Sequence, residues 1–350
     1  MLARFAARFV PIALACATLA LGVPPSALAQ PAPTKVTLAL GSDGYHYLLH
    51  YITEGAGLYK AEGLTVDIVK FTSGSKIIAS VLGGSADASM VNLGNTTLAI
   101  EKGGDIATLM TLYTIMPFAV VLSNDALKKT GITPAMPLDE RVNRLKGLKI
   151  ATTGPGTGTD QFVRTLFVAR GMNPDKEVTL QTLGDGGTML AAMEAKAIDG
   201  LVLSAPTPEQ AEQKGMGRVA ISGIIGEVPE FNGLIYLGLI ASREAIEKKR
   251  PALQAMVRAL TRGIKFARDN PAEARRFARS HFSELDDATF NAAYATHLKG
   301  IPESPVLTPE QYQQTLKAYF LGTKTQLTVP YDKAIYSDFA RQAQKDILQR

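Results

Sequence analysis

Apolar and polar positions along the chain fall into a repeating cadence of strand, small-residue turn and helix. Lys35 to Leu40 alternates and predicts a strand, Gly41-Ser42-Asp43-Gly44 a turn, and Tyr45 to Ala56 a helix with Tyr47, Leu48, Tyr51 and Ile52 on one face. Leu64 to Lys70, Ala88 to Val91 and Ile106 to Tyr113 read as further strands, with helices over Lys76 to Leu82 and up to Glu101. Phe71 to Ser75 and Asn92 to Thr96 are the intervening turns. Phe118 to Leu122 is a strand that leaves this unit, and Lys128 to Asn143 reads as a polar surface connection. The cadence then resumes. Strands are expected at Leu148 to Thr152, Val178 to Gln181, Gly200 to Leu203 and Arg218 to Ser222, with helices over Asp160 to Arg170 and Thr188 to Ala195. Leu234 to Ala241 is an apolar strand returning to the first unit. Helices follow over Arg243 to Arg279 (broken at Asn270-Pro271), Asp286 to Leu298, Pro309 to Phe320 and Asp332 to Leu348, all expected to pack around the first unit.

Two segments about a hundred residues apart repeat one device. Gly83-Gly84-Ser85-Ala86-Asp87 and Ala195-Lys196-Ala197-Ile198-Asp199 each end a helix, place an Asp in the turn and open a short apolar strand. The expected fold is therefore α/β, with two similar lobes of mainly parallel sheet joined by two crossovers. Residues 34–120 and 235–350 are assigned to the first lobe and 121–234 to the second. Asp87 and Asp199 read as structural turn residues.

Residues 1–29 stand apart. Arg4 and Arg8 precede the apolar run Phe9 to Val23, and Ala27-Leu28-Ala29 supplies a small-residue cleavage site. This is the pattern of a secretory leader, and the run is too short to cross a bilayer. The expected address is the periplasm. Ala13-Leu14-Ala15-Cys16 is only a poor lipoprotein box. Cys16 is the single cysteine, so a processed chain has no disulfide, thiolate nucleophile or cysteine metal ligand. Loss of Arg4 and Arg8 lowers the formal net charge from +5 to +3, spread along the chain, which argues against nucleic acid as a partner.

Chemistry is expected at the carboxyl ends of the strands, where turns and helix N-termini converge. Candidate ligand-binding residues are Ser42, Asp43, Tyr45 and His46 in the first turn, Ser73, Gly74 and Ser75 in the second, and Asn92, Asn95 and Thr96 in the third. Gly156, Thr157, Gly158 and Thr159 follow in the second lobe, with Tyr113 where the chain should cross between lobes and Pro206 after the second Asp strand. Tyr47, Tyr51, Phe118 and Tyr236 could supply apolar walls. The run Gly154 to Thr159 lacks the Lys-Ser/Thr of a P-loop and the third Gly of a dinucleotide loop; Thr157 to Asp160 matches a capping box instead. His46 and His50 lack a following Glu, so neither a metal nor any cofactor is expected. His281 and His297 read as surface positions.

With these residues in view, the chain resembles the periplasmic substrate-binding proteins of ABC transporters, and more narrowly the sulfonate/nitrate/taurine-binding group. Glu54-Gly55-Ala56-Gly57-Leu58-Tyr59-Lys60-Ala61-Glu62-Gly63-Leu64 with Val66 and Val69, Gly83-Gly84-Ser85-Ala86-Asp87, and Leu145-Lys146-Gly147-Leu148-Lys149-Ile150-Ala151 carry the resemblance, which spans residues 35–270. It implies a type II bilobal fold, a ligand in the interlobe cleft, a membrane permease as partner, a monomer, and no catalysis. The family's acidic residue before the proline after the second Asp strand is replaced here by Ala205. The alternatives are a ligand-sensing ectodomain and a cofactor-free enzyme on the same fold.

Overall fold

The computed structural model describes residues 33–41, 43–71 and 74–349. The leader, Cys16, Ser42 and Ser73 lie outside the described residues. Ten strands are found among those described: β1 Thr34–Leu40, β2 Leu64–Lys70, β3 Ala88–Asn92, β4 Ile106–Tyr113, β5 Phe118–Ser123, β6 Lys149–Thr152, β7 Thr179–Thr182, β8 Gly200–Ser204, β9 Gly217–Ser222 and β10 Leu237–Ser242. They form two five-stranded sheets, ordered β2-β1-β3-β10-β4 and β7-β6-β8-β5-β9. The second order repeats the first. In each sheet one strand opposes its neighbours: β10 pairs antiparallel with β3 and β4, and β5 with β8 and β9. The chain passes between sheets twice, after β4 and before β10.

The repeated aspartates are part of this architecture. The Asp87 carboxylate accepts from the Thr37 N–H at 2.9 Å and the Asp199 carboxylate from the Lys149 N–H at 2.8 Å, each tying the head of one parallel strand to its neighbour. The same sequence step separates Thr37 from Lys149, Asp87 from Asp199 and Asn92 from Ser204.

The helices that matter for the site are α1 Leu48–Gly55, α2 Gly74–Leu82, α3 Leu93–Glu101, α4 Gly158–Val168, α5 Gly186–Glu194 and α6 Thr207–Gln213. The four longest that follow the second crossing among the described residues are α7 Arg250–Asp269, α8 Pro271–His281, α9 Asp287–His297 and α10 Pro309–Thr323. A buried stripe of Leu253, Val257, Leu260 and Ile264 seats α7 against α1. β4 is buried along its whole length although it is an edge strand. The C-terminal segment covers that edge: Pro305 and Gly300 accept from the Thr111 and Thr114 N–H groups, and Ile335 bridges to Thr108. No helix among the described residues is long and apolar enough to cross a membrane.

The structure departs from the sequence reading in four places. Residues 128–143 are not a plain connection. Asn124–Thr130 is helical, capped by the Ser123 hydroxyl and closed by Gly131 at φ 64°, and Leu138–Asn143 forms a second turn. The long C-terminal helix is broken because Ile335 leaves the helical path to pair with Thr108. His297 is fully buried, its Nδ1 2.7 Å from the Tyr113 hydroxyl. The late helices do not all stay with the first sheet: α9 packs against α6, and α10 against both α3 and α4.

Two glycines allow α10 this position. A Cβ on Gly94 of α3 would lie 2.2 Å from the Tyr319 ring, and one on Gly322 would lie 2.9 Å from the Gln161 carbonyl oxygen of α4. The Thr315 hydroxyl also accepts from the Ile235 N–H in the second crossing. α10 is thus a clasp over the waist. Gly322→Val should separate α10 from α4 and cost about 1–3 kcal/mol of stability in urea unfolding; an unchanged midpoint would show the contact to be dispensable.

Candidate functional site

The strand-to-helix turns of both sheets open onto one cleft of about 550 Å³. From the first lobe, His46, Tyr47, Gly74, Asn92 and Asn95 line it, with Lys70 and Phe71 at the end of β2. Thr153, Thr157, Gly158, Thr159, Asp185 and Ser204 face them from the second. Phe118 and Tyr236, one from each crossing, form the back wall, their rings perpendicular at 5.4 Å. Gly158 lets the first turn of α4 reach this wall, since a Cβ there would lie 2.7 Å from Phe118.

The polar groups are held by short local networks. Asn92 caps α3 through its side-chain oxygen, which accepts from the Asn95 N–H at 3.1 Å. Thr153, Thr157 and Thr159 gather their hydroxyls within 2.8–3.0 Å of one another beneath the start of α4. Asp185 caps α5, accepting from the Thr188 N–H and hydroxyl at 2.9 Å, and these bonds hold its carboxyl below the usual range. Lys70 pairs with Asp43 at 2.5 Å on the cleft lip.

Two contacts already span the cleft. Gln161 Nε2 donates to Asn95 Oδ1 at 3.2 Å, and His46 Nδ1 lies 3.4 Å from the Ser204 hydroxyl. Burial pushes the His46 imidazole down to about 4, so it is neutral at physiological pH and can donate or accept.

Of the residues expected from sequence, the structure brings His46, Gly74, Asn92, Asn95, Thr157, Gly158 and Thr159 together on the cleft. Others lie elsewhere. Tyr45 is fully buried and stacked on Phe282 at 4.2 Å. Thr96 is buried and bonds back to the Asn92 carbonyl oxygen. Tyr113 is buried behind the waist against His297. Asp43 sits on the outer lip with Lys70, Tyr51 and His281, and Ser75 is exposed on α2. Pro206 follows β8 outside the lining. Of the expected aromatic walls, Tyr47, Phe118 and Tyr236 face the cleft and Tyr51 packs in the core. The capping-box expectation is corrected: Thr157 makes no side-chain cap bond, and Asp160 accepts instead from the Gly156 N–H at 2.9 Å.

Gly156 belongs to a larger groove of about 760 Å³, lined with Arg164 and the end of α10 on the outer side of α4. Arg164 there is already engaged, bonding Asp160 at 3.0 Å and Asp175 at 2.8 Å. It also lacks lining from the first sheet, so volume alone does not favour it.

Sequence reasoning missed Lys70, Thr153, Gln161, Asp185 and Ser204. A signal existed for Ser204, which occupies in β8 the terminal position that Asn92 occupies in β3. His50, buried against the Tyr59 hydroxyl at 2.9 Å, takes no part, and no grouping of metal-ligating side chains occurs among the described residues.

Residues 29–280 match the sequence profile of the NMT1-like family. No curated protein matches by sequence. Among solved structures, a protein from Bordetella bronchiseptica RB50 superposes with a TM-score of 0.76 at 25% identity, covering 89% of this chain and 97% of its own. The ligand-binding component of an ABC-type import system from Staphylococcus aureus, with zinc bound, gives 0.69 at 14% identity, covering 89% and 99%. The alkanesulfonate-binding protein SsuA from Xanthomonas axonopodis pv. citri, bound to MOPS, gives 0.63 at 15% identity, covering 90% and 98%. The shared architecture is that of periplasmic binding proteins.

Proposed function

The chain belongs to the NMT1-like family, and from that premise we propose that it is an extracytoplasmic solute-binding protein. It captures a small organic molecule in the interlobe cleft and delivers it to the permease of an ABC importer. The observation that carries this reading is the cleft itself, lined from both sheets and both crossings. A solute that touches both lobes stabilises their closed arrangement by its differential affinity, which makes closure the signal a permease can read. The first lobe takes 34–117 with 235–350 and the second 118–234, hinged at the two crossings; the sequence boundary at 120 moves because β5 pairs from Phe118 onward in the second sheet. Solved proteins of this fold that carry the names import-system component and alkanesulfonate-binding protein support the assignment. The basic-apolar leader supports export to the periplasm, and the processed chain acts as a monomer. Tyrosines aside, the ionisable lining among the described residues is Lys70, Asp185 and a neutral His46, each engaged with protein partners, which favours binding without turnover.

The test is a thermal-shift screen of the purified chain, followed by small-angle scattering with the best binder. Binding should raise the melting temperature, shrink the radius of gyration and leave the ligand chemically unchanged. Turnover, or a binder that leaves both observables where they were, would defeat the proposal.

A further inference from the structure

We infer that the outer helical layer of the first lobe is a docking face for an anionic membrane surface, built on a surplus of arginine and lysine that the fold does not neutralise. The inference goes beyond the solute site. It rests on the proposed export and is independent of what the cleft binds.

Contrary to the sequence expectation, the excess positive charge is concentrated. Arg243 to Arg279 carries eleven Lys and Arg against four Asp and Glu, a net +7 in a chain whose total is +5. The remainder is therefore net −2. Folding lays this segment out as one layer: a short helix Arg243–Lys248, then α7 and α8, the last two both packed on α1. The stripe of Leu253, Val257, Leu260 and Ile264 is buried, and Arg262, Lys265 and Arg268 stand exposed on the other side of α7.

Local carboxylates fall short of the cations. Glu62 serves two, Arg258 at 2.8 Å and Arg262 at 2.7 Å, and Asp269 serves two, Lys265 at 2.5 Å and Arg268 at 2.9 Å. Arg250 lies over the Tyr336 and Phe339 rings and Arg275 donates to the Asn291 side-chain oxygen, neither meeting a carboxylate among the described residues. Other segments contribute Glu62, Asp87 and Asp287 as ion-pair partners. With those three counted, the layer keeps a surplus of +4. Arg262 and Arg268 also keep half or more of their side-chain surface in water, which leaves guanidinium N–H groups open to a phosphate.

What this face fits follows from what it lacks. A stable protein interface has an apolar or aromatic centre. The large apolar side chains exposed among the described residues are Val69, Leu82, Ile225 and Phe320, none of them on these helices. An anionic headgroup surface needs no such centre, because each Lys or Arg near it contributes through the surface potential. Nucleic acid offers the same phosphates, but the proposed periplasmic address sets it aside. The layer also ends at the cleft: His281, the last residue of α8, lies 3.6 Å from Asp43 on the lip and stacks on Tyr51 at 3.6 Å. A protein resting on the bilayer by this face holds that lip beside the membrane.

The test uses residues 30–350, since Pro33–Arg350 forms one compact unit and the apolar leader is then absent. Co-sedimentation is measured with vesicles of phosphatidylcholine alone and with vesicles about one third phosphatidylglycerol. In dilute buffer, partition onto the anionic vesicles should be at least about tenfold higher, and roughly 0.5 M salt should remove the difference. Arg250→Gln, Lys265→Gln, Arg268→Gln and Arg275→Gln together should lower that partition about tenfold or more. Lys128→Gln, Lys129→Gln, Lys176→Gln and Lys214→Gln, all exposed on the second lobe, remove the same charge and should change it by less than about threefold. A thermal melt checks each fold; if the first set melts early, Lys265→Gln with Arg268→Gln carries the test, with a loss of about threefold or more. Equal losses in both sets would show that net charge and not this layer drives adsorption. A parent that ignores anionic vesicles would show that the face does not meet lipid and would leave it to an acidic protein. Either result overturns the inference and leaves the solute-binding reading standing.

Discussion

Thr157→Leu and Asn95→Leu should each weaken ligand capture about 100-fold or more, close to 3 kcal/mol, while the protein keeps its fold. Both residues line the cleft, one from each lobe. Thr157 is the N-cap of α4, but its hydroxyl donates to the Gly154 carbonyl oxygen at 2.6 Å and bonds no N–H of the helix. Its loss therefore removes that turn hydrogen bond and the links to the Thr153 and Thr159 hydroxyls, each worth about 1 kcal/mol, and no cap. Asn95 holds the start of α3 through its backbone N–H on Asn92, a bond that Leu preserves. Its side chain is spent across the cleft, where Oδ1 accepts from Gln161. Leu at either position puts a branched apolar group into the space and removes a polar partner. Calorimetry with a confirmed binder, beside a thermal melt, separates affinity from folding. Parent-like affinity in both variants would show that solute does not enter between these helices.

Lowering the pH from 7.5 to 5 should cost the protein about 4 kcal/mol of stability, and Glu209→Gln should raise that loss to about 6 kcal/mol. Four buried groups set the balance. Burial pushes His50 and His297 down from 6.5 to about 3, and His46 down to about 4. Unfolded, each takes a proton near 6.5; folded, none does until about 4 or below. Their contribution is complete above 6.5 and lost as the pH falls toward 3, reaching about 2 kcal/mol each at pH 5. Glu209 on α6 runs the other way. Burial raises its carboxyl from 4.5 to about 7, and its Oε2 has no hydrogen-bond partner. The native state therefore holds this proton between about 4.5 and 7 while the unfolded state does not. That gain appears as the pH falls through 7 and returns about 2 kcal/mol by pH 5. Gln removes the ionisation and with it the offset, leaving the histidine loss uncovered. Urea unfolding of both proteins at the two pH values measures it. Equal slopes would mean that Glu209 is ionised normally, and a flat parent with a flat variant would mean that the histidines charge freely.

Much of the site could be located before any coordinates because the fold is a repeat. Strand and helix periods, glycine turns and the paired aspartates are local features, and β2 and β4 run as expected, Leu64–Lys70 and Ile106–Tyr113. The turns that follow β1, β2, β3 and β6 do carry cleft residues. Within those turns, however, sequence could not say which side chain points inward. Tyr45 and His46 are adjacent in one helical turn, yet the first is stacked on Phe282 and the second faces Ser204 across the cleft. The choice depends on α9 and the Phe282 loop docking from more than two hundred residues away. Gln161, one turn into α4, was invisible for the converse reason: it matters only because the second lobe sets it opposite Asn95.

By itself, then, the sequence determined two copies of one strand-turn-helix plan, the Asp in each repeated turn, and the strand ends at which a ligand could sit. These follow from interactions between near neighbours, whose sterics and hydrogen bonds need no knowledge of the rest of the chain. Only the tertiary structure decided that α10 clasps a helix of each lobe, that His297 is buried, and that Asp43 pairs with Lys70 on the cleft lip. Those outcomes depend on how one lobe is rotated against the other and on which distant helix fills the space between them. Pairings across long separations leave no periodic trace along the chain.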